Sequence, residues 1–198
     1  MDDKECIPIV AVRDAGTQLR YETLIQLIVS FNQSESVAAV GRALATGIKY
    51  VLQLRCWRFL LQESDAVVVL SGNLQEIDLH IVKESMLSSA EQQWLSRTAP
   101  ILLGEKELVA ERLRLPEQLG ALDLQQLYAL PTRGPSGPTE SLFLMGARGQ
   151  AFSPIDLKFA AMVARLLLDK VKQLRALERL RQAESEIRNI NTRLQATL

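Results

Sequence analysis

The stretch Phe152-Ser153-Pro154-Ile155-Asp156-Leu157 spells out the start of a helix. Ser153 supplies an N-cap hydroxyl, and Pro154 suits the first helical position because an N–H there would have no intrahelical partner. Asp156 stands where a capping-box carboxylate reaches back to the cap, and Phe152 and Leu157 occupy the two positions of a hydrophobic staple. No proline or glycine follows before Leu198, so the helix is predicted to run for more than 40 residues. At about 1.5 Å per residue it would exceed about 60 Å, too long to pack wholly on a domain of this size.

Its two parts read differently. Phe159, Met162, Val163, Leu166, Leu167 and Leu168 are dense enough to be buried. Further on, Leu180, Ala183, Ile187, Ile190 and Leu194 step by 3, 4, 3, 4, the spacing of a left-handed coiled-coil seam flanked by Arg and Glu. Between them Val171, Leu174, Leu177 and Leu180 step by threes, which reads as a stammer. The plainer alternative is an intramolecular helical hairpin or a frayed tail.

Upstream the period is two. Ser141–Ala147 and Gln126–Thr132 read as strands around the Pro/Gly turn from Arg133 to Pro138. Leu54–Gln62 and Ala66–Ser71 form a second hairpin through Glu63-Ser64-Asp65, with Asp78–Val82 a weaker strand. Ser88 or Ser89 caps a helix through Trp94 that ends before Pro100. Ile101–Leu103 reads as a short strand and Lys106–Leu113 as a short helix. Near the N-terminus, Leu24, Leu27, Ile28 and Phe31 mark a helix opening at Thr17. Val37, Val40, Leu44, Ile48 and Val51 mark a second, capped by Ser34 or Ser36. Residues 1–16 show no sustained period and are predicted to be an extended arm, with Ile7, Ile9 and Val12 able to dock as an edge strand. The domain division is then an arm at 1–16, a globular domain at 17–174 and a coiled-coil helix at 175–198.

Composition narrows the function. The 198 residues carry 23 Lys+Arg against 23 Asp+Glu, and that balance argues against a dedicated nucleic-acid binder. Charge is uneven in place: residues 62–123 hold 11 acidic and 5 basic side chains, and residues 155–198 hold 5 acidic and 9 basic. These are read as two solvated surfaces, since the basic charges form no dense patch. No apolar run approaches the ~18–20 residues of a membrane span. The charged start Met1-Asp2-Asp3-Lys4-Glu5 lacks a signal-peptide core. Two cysteines, Cys6 and Cys56, make no disulfide framework, so a cytoplasmic location is expected.

The element order predicts an α+β fold: a mainly antiparallel sheet with terminal helices on one face and an extended C-terminal coiled-coil helix. The run Tyr128–Thr132, Ser141–Ala147 and the Phe152-Ser153-Pro154-Ile155-Asp156-Leu157 entry resembles the ending of GAF sensory domains, in which a final strand leads into F-[ST]-x-x-[DE]-L and an apolar helix. The resemblance covers roughly Tyr21–Leu174. It implies a non-catalytic sensor of a small molecule or protein partner. It also implies a homodimer joined through terminal helices and a coiled coil leading to an output domain. The family's ligand signatures are missing. Neither cysteine is followed by histidine as in bilin-binding members, and Lys158-Phe159 stands without the rest of the cyclic-nucleotide signature. Members that reduce free methionine sulfoxide use several cysteines, whereas this chain has two.

Catalytic material is sparse. One histidine, His80, and two distant cysteines are poor material for a metal site, and neither a nucleophile elbow nor a phosphate-binding glycine loop occurs. No bilin, haem or metal cofactor is expected. On the first strand Trp57, Phe59 and Leu61 share one face, read as core beneath the helices. Cys56, Arg58 and Leu60 share the other, where the resemblance implies a pocket. Arg58 there suits an anion or a salt bridge to the acidic middle segment. Trp94 and Tyr128 are candidate pocket walls, as amphipathic aromatics often are. Cys56 reads as a small buried hydrophobe. The competing reading is a structural dimerisation adaptor with a collapsed, empty pocket.

Overall fold

The computed structural model describes residues 9–73, 76–134, 137–149 and 151–197. Two helices, α1 (Ile9–Gln33) and α2 (Val37–Val51), precede three strands, β1 (Cys56–Gln62), β2 (Val67–Asn73) and β3 (Ile77–Val82). Helix α3 (Ser89–Leu95), strand β4 (Ile101–Gly104) and the short helices α4 (Glu105–Glu111) and α5 (Glu117–Gly120) follow. Strands β5 (Gln126–Arg133) and β6 (Thr139–Ala147) lead into α6 (Pro154–Thr197).

The six strands form one antiparallel sheet in the order β3-β2-β1-β6-β5-β4. Both faces of its central strands are buried, whereas the edge strand β3 is largely exposed. Trp57, Phe59 and Leu61 of β1 meet Phe143 and Met145 of β6 beneath α2 and α6, while Cys56 and Leu60 meet Leu142 and Leu144 beneath α3 to α5. The three long helices therefore lie on one face, as the element order predicts. Helix α1 packs on α2 and α6. Arg20 bonds Asp156 at 2.7 Å near the start of α6, and Lys170 reaches the Asn32 carbonyl at 3.3 Å. Helices α1 and α6 thus run side by side in the same direction.

The caps behave as their chemistry dictates. Ser36 caps α2, its hydroxyl accepting from the Ala39 N–H at 3.2 Å. At α6 the Ser153 N–H and hydroxyl both donate to Asp156 Oδ2, at 2.8 and 2.6 Å, and the Asp156 N–H donates back to Ser153 Oγ at 3.3 Å. Phe152 and Leu157 pack against the main core beside this box.

Three readings need correction. Residues 9–16, expected within an extended arm with Ile9 and Val12 as an edge strand, begin α1 instead; Ile7 and Cys6 lie outside the described residues. Gly16 looked like a boundary, but one glycine in a helix costs only about 1 kcal/mol, which the flanking turns outweigh. Met162 was expected in the core and is 43% exposed. The stammer dissolves: Val171 and Leu174 belong to the domain core, whereas Leu177 and Leu180 are exposed. The steps of three joined two different stripes of the helix.

Candidate functional site

The side of the sheet opposite the long helices carries the polar cleft. Arg58 projects from β1 toward α3, whose start fixes its partner. Ser88 accepts from the Glu91 N–H at 3.2 Å, and Glu91 Oε2 accepts from the Ser88 N–H at 2.9 Å, a reciprocal box that holds the carboxylate in place. Glu91 is 1% exposed, and its other oxygen accepts from Arg58 Nε at 2.6 Å. Arg58 Nη1 donates to Gln118 of α5 at 3.2 Å. A charge as deeply buried as Glu91 requires such a partner, so this pair fixes the guanidinium.

Around Arg58 opens a cleft of about 410 Å³, lined among others by Cys56, Ser71, Asp78, Gln118 and Leu119. Asp78 pairs with His80 at 2.6 Å on the exposed rim. Cys56 is a wall rather than a reagent: burial pushes its thiol up to about 12, so almost no thiolate exists near neutral pH.

The structure brings together only part of the predicted pocket. Arg58 lines the cleft, and Trp94 is buried in the same layer, packed with Leu60, Leu142 and Leu144 behind it. Tyr128 does not join them. It lies on the opposite face, in the core beneath the helices, with its ring 6.1 Å from that of Phe152. Both parities of β5 are apolar, with Leu127 and Ala129 on one face and Tyr128 and Leu130 on the other, so alternation alone gives no face to Tyr128. Leu180, Ala183, Ile187, Ile190 and Leu194 form an exposed stripe on α6 beyond the sheet.

Sequence reasoning missed a second cluster, where α6 leaves the domain. Glu63, at the end of the β1–β2 hairpin, has a side chain only 7% exposed and receives both Nε and Nη2 of Arg175, each at 3.0 Å. Arg179 adds a contact at 2.6 Å, and Lys172 pairs with Glu140 of β6 at 2.6 Å. Burial alone would raise the Glu63 carboxyl; the hydrogen bonds from Arg175 and Arg179 outweigh it and hold the group below the ordinary carboxylate range. The signal available in sequence was Arg175 and Arg179 one turn apart facing back toward the domain, but Glu63 lies 112 positions from Arg175.

Among the described residues no helix is long and apolar enough to cross a membrane, and no group of three or more His, Cys, Asp or Glu is placed to hold a metal ion. No protein-family model and no curated protein matches the sequence. Solved structures do match. The GAF domain of an Acinetobacter phosphoenolpyruvate-protein phosphotransferase aligns with TM-score 0.62 and 14% identity over 79% of this chain and 95% of that one. The GAF domain of a two-component sensor histidine kinase from Bacillus halodurans aligns with TM-score 0.55 and 14% identity over 73% and 99%. A free methionine-R-sulfoxide reductase from Neisseria meningitidis aligns with TM-score 0.57 and 14% identity over 81% and 92%. The chain has the fold of a GAF domain.

Proposed function

We propose that this chain is a non-catalytic, cytoplasmic sensory module of a signal-transduction protein. It binds a small ligand or partner at the Arg58 cleft and passes the change through a dimeric C-terminal coiled coil toward an output domain. Within it, residues 17–174 act as the sensory domain and residues 175–198 as the signalling helix.

One observation carries this reading: the exposed stripe of α6 keeps a heptad register from the globule to the tail. Leu166, Gln173, Leu180, Ile187 and Leu194 recur every seven residues, and Met162, Asp169, Ala176, Ala183 and Ile190 recur in the second seam position. None of the ten is fully buried. Beside this stripe α1 presents Tyr21, Ile25 and Val29, 43–57% exposed and one turn apart, with the Tyr21 ring 5.1 Å from that of Phe159. A second copy covers this surface. Each large seam residue contributes about 1.5–3 kcal/mol when fully buried, enough in sum to offset the entropy of association. The physical link from cleft to seam is β1, which carries Arg58 at one end and leads to Glu63, the residue that grips Arg175 and Arg179 at the other.

A second reading, a structural dimerisation adaptor without a ligand, has one observation in its favour: Arg58 is already paired with Glu91 and Gln118. Sedimentation equilibrium of an Ile187→Lys/Ile190→Lys double variant tests the dimer common to both readings. A folded monomer or a looser dimer is the expected result, and dimer affinity equal to the parent's would place association elsewhere.

A further inference from the structure

The strand register lines up three side chains across the face that holds the cleft. Arg58 lies opposite Ser71, and Ser71 opposite Asp78. With neighbouring strands about 4.8 Å apart, the row runs from a guanidinium through a hydroxyl to a carboxylate within about 10 Å. All three residues line the same cleft.

The guanidinium end is built and oriented. Its side chain is 11% exposed, and the bonds to Glu91 and Gln118 use two of its five N–H groups. Among the described residues no acceptor meets the other three. Glu91 is itself fully engaged, one oxygen on Arg58 and the other on the Ser88 N–H. It fixes the angle of the guanidinium and leaves one N–H on Nη1 and both on Nη2 to donate to a carboxylate, the anion with which arginine forms charge-assisted hydrogen bonds. The opposite end is acidic. Asp78 and Glu76 both line the cleft, and among the described residues Arg58 is the one Lys or Arg in its lining. His80 engages Asp78 through Oδ2, and among the described residues no donor engages Oδ1.

That distribution selects by exclusion. A purely anionic ligand on Arg58 faces repulsion from Asp78 and Glu76, and a purely cationic one leaves the buried guanidinium edge desolvated and unpaired. A molecule with a carboxylate at one end and an ammonium at the other satisfies both. Leu119 and Leu122 wall the space between, and about 410 Å³ lies toward the small end of ligand sites.

We infer that the Arg58 cleft takes a compact zwitterion of amino-acid type, its carboxylate on Arg58 and its ammonium on Asp78 and Glu76. This rests on the sensory reading and narrows it. The test is calorimetric titration and thermal shift of the full 198-residue chain. The probes are the common α-amino acids and 4-aminobutyrate, each beside its deaminated carboxylate and its decarboxylated amine. At least one zwitterion should bind, with both single-charge analogues weaker by about tenfold or more. Asp78→Asn, on the exposed rim, should leave the unliganded melt unchanged, weaken the zwitterion by about tenfold and narrow its advantage over the carboxylate. Arg58→Lys retains a cation for Glu91 and should weaken zwitterion and carboxylate alike. The inference is overturned if no probe binds at millimolar concentration, if the carboxylate alone binds as well, or if Asp78→Asn changes nothing. A carboxylate bound without need of its ammonium removes the zwitterion and leaves a ligand sensor. An empty panel beside an intact dimer leaves the adaptor.

Discussion

From Phe159 to Leu174, α6 buries Phe159, Val163, Leu167, Val171 and Leu174 in its own domain, whereas from Leu180 onward Leu180, Ile187, Ile190 and Leu194 stand 56–63% exposed. Both halves carry leucine, isoleucine or methionine on the outer side of the helix. What separates them is the inner side, apolar from Phe159 to Leu174 and continued beyond it by Arg181, Ser185, Arg188 and Thr192. The first half carries two apolar stripes, one against the sheet and one on the outside through Met162 and Leu166; the second half carries only the outer one. A continuous helix can thus belong to a fold and to an interface at once, and only the outer stripe survives where the sheet ends.

The largest expected effect sets the halves directly against each other. Leu167→Ala, at a fully buried position, should cost about 2–5 kcal/mol of domain stability through lost burial and the cavity left behind. Ile187→Ala should leave the domain melt within about 0.5 kcal/mol of the parent at concentrations where the chain is monomeric, and should weaken self-association instead. Urea melts with unchanged slope, run beside sedimentation, separate the two. A large loss of monomer stability from Ile187→Ala would mean that the tail folds back on its own chain.

The border between the halves is the Glu63 cluster. Glu63→Gln keeps shape but removes the charge that Arg175 and Arg179 share, and should cost about 1–3 kcal/mol, the scale of charged hydrogen bonds partly shielded from water. The pH dependence has a definite sign. The carboxyl is held below its ordinary value in the folded chain, so its contribution is complete above the unfolded pKa, about 4.3. It is lost as pH falls through the lower, folded value. The parent minus Glu63→Gln difference should therefore shrink below about pH 4. A constant difference across that window would show that the ion pair contributes through shape alone.

How legible all this was depended on the range of each interaction. The Ser153 box, the two hairpins and the Ser88 cap are decided within four to six residues, and they appear where the sequence puts them. The pair of Arg58 with Glu91 spans 33 positions and that of Arg175 with Glu63 spans 112. Sequence offers the charges but not their meeting. Helix α5, four residues after Pro116, is too short to show a period, yet it supplies Gln118 to the site. Tyr128 went to the wrong face because a strand buried on both sides has no alternation to read. The local cap can be tested by the same measurement as the larger effects: Ser153→Ala should destabilise by about 1 kcal/mol, and a change within error would remove the box as the determinant of where α6 begins.

The smallest effect probes the surface that the first half of α6 covers. Ser141 of β6 shares its sheet face with Phe143 and Met145, is 0% exposed, and its hydroxyl has no hydrogen-bond partner among the described residues. Leu61 and Thr132 flank it on the neighbouring strands. An unpaired hydroxyl in such a place costs about 1–3 kcal/mol of desolvation relative to water. Removing it leaves a space of roughly one oxygen atom, which forfeits only a few tenths of a kcal/mol of dispersion contact. Desolvation outweighs contact, so Ser141→Ala should stabilise the domain, by a few tenths to about 1 kcal/mol. The same change at an exposed position, Ser64→Ala in the hairpin, should do nothing beyond about 0.5 kcal/mol and serves as the control. Destabilisation of Ser141→Ala by more than that margin would show that the hydroxyl finds a partner in solution, with a bound water beneath α6 the simplest candidate.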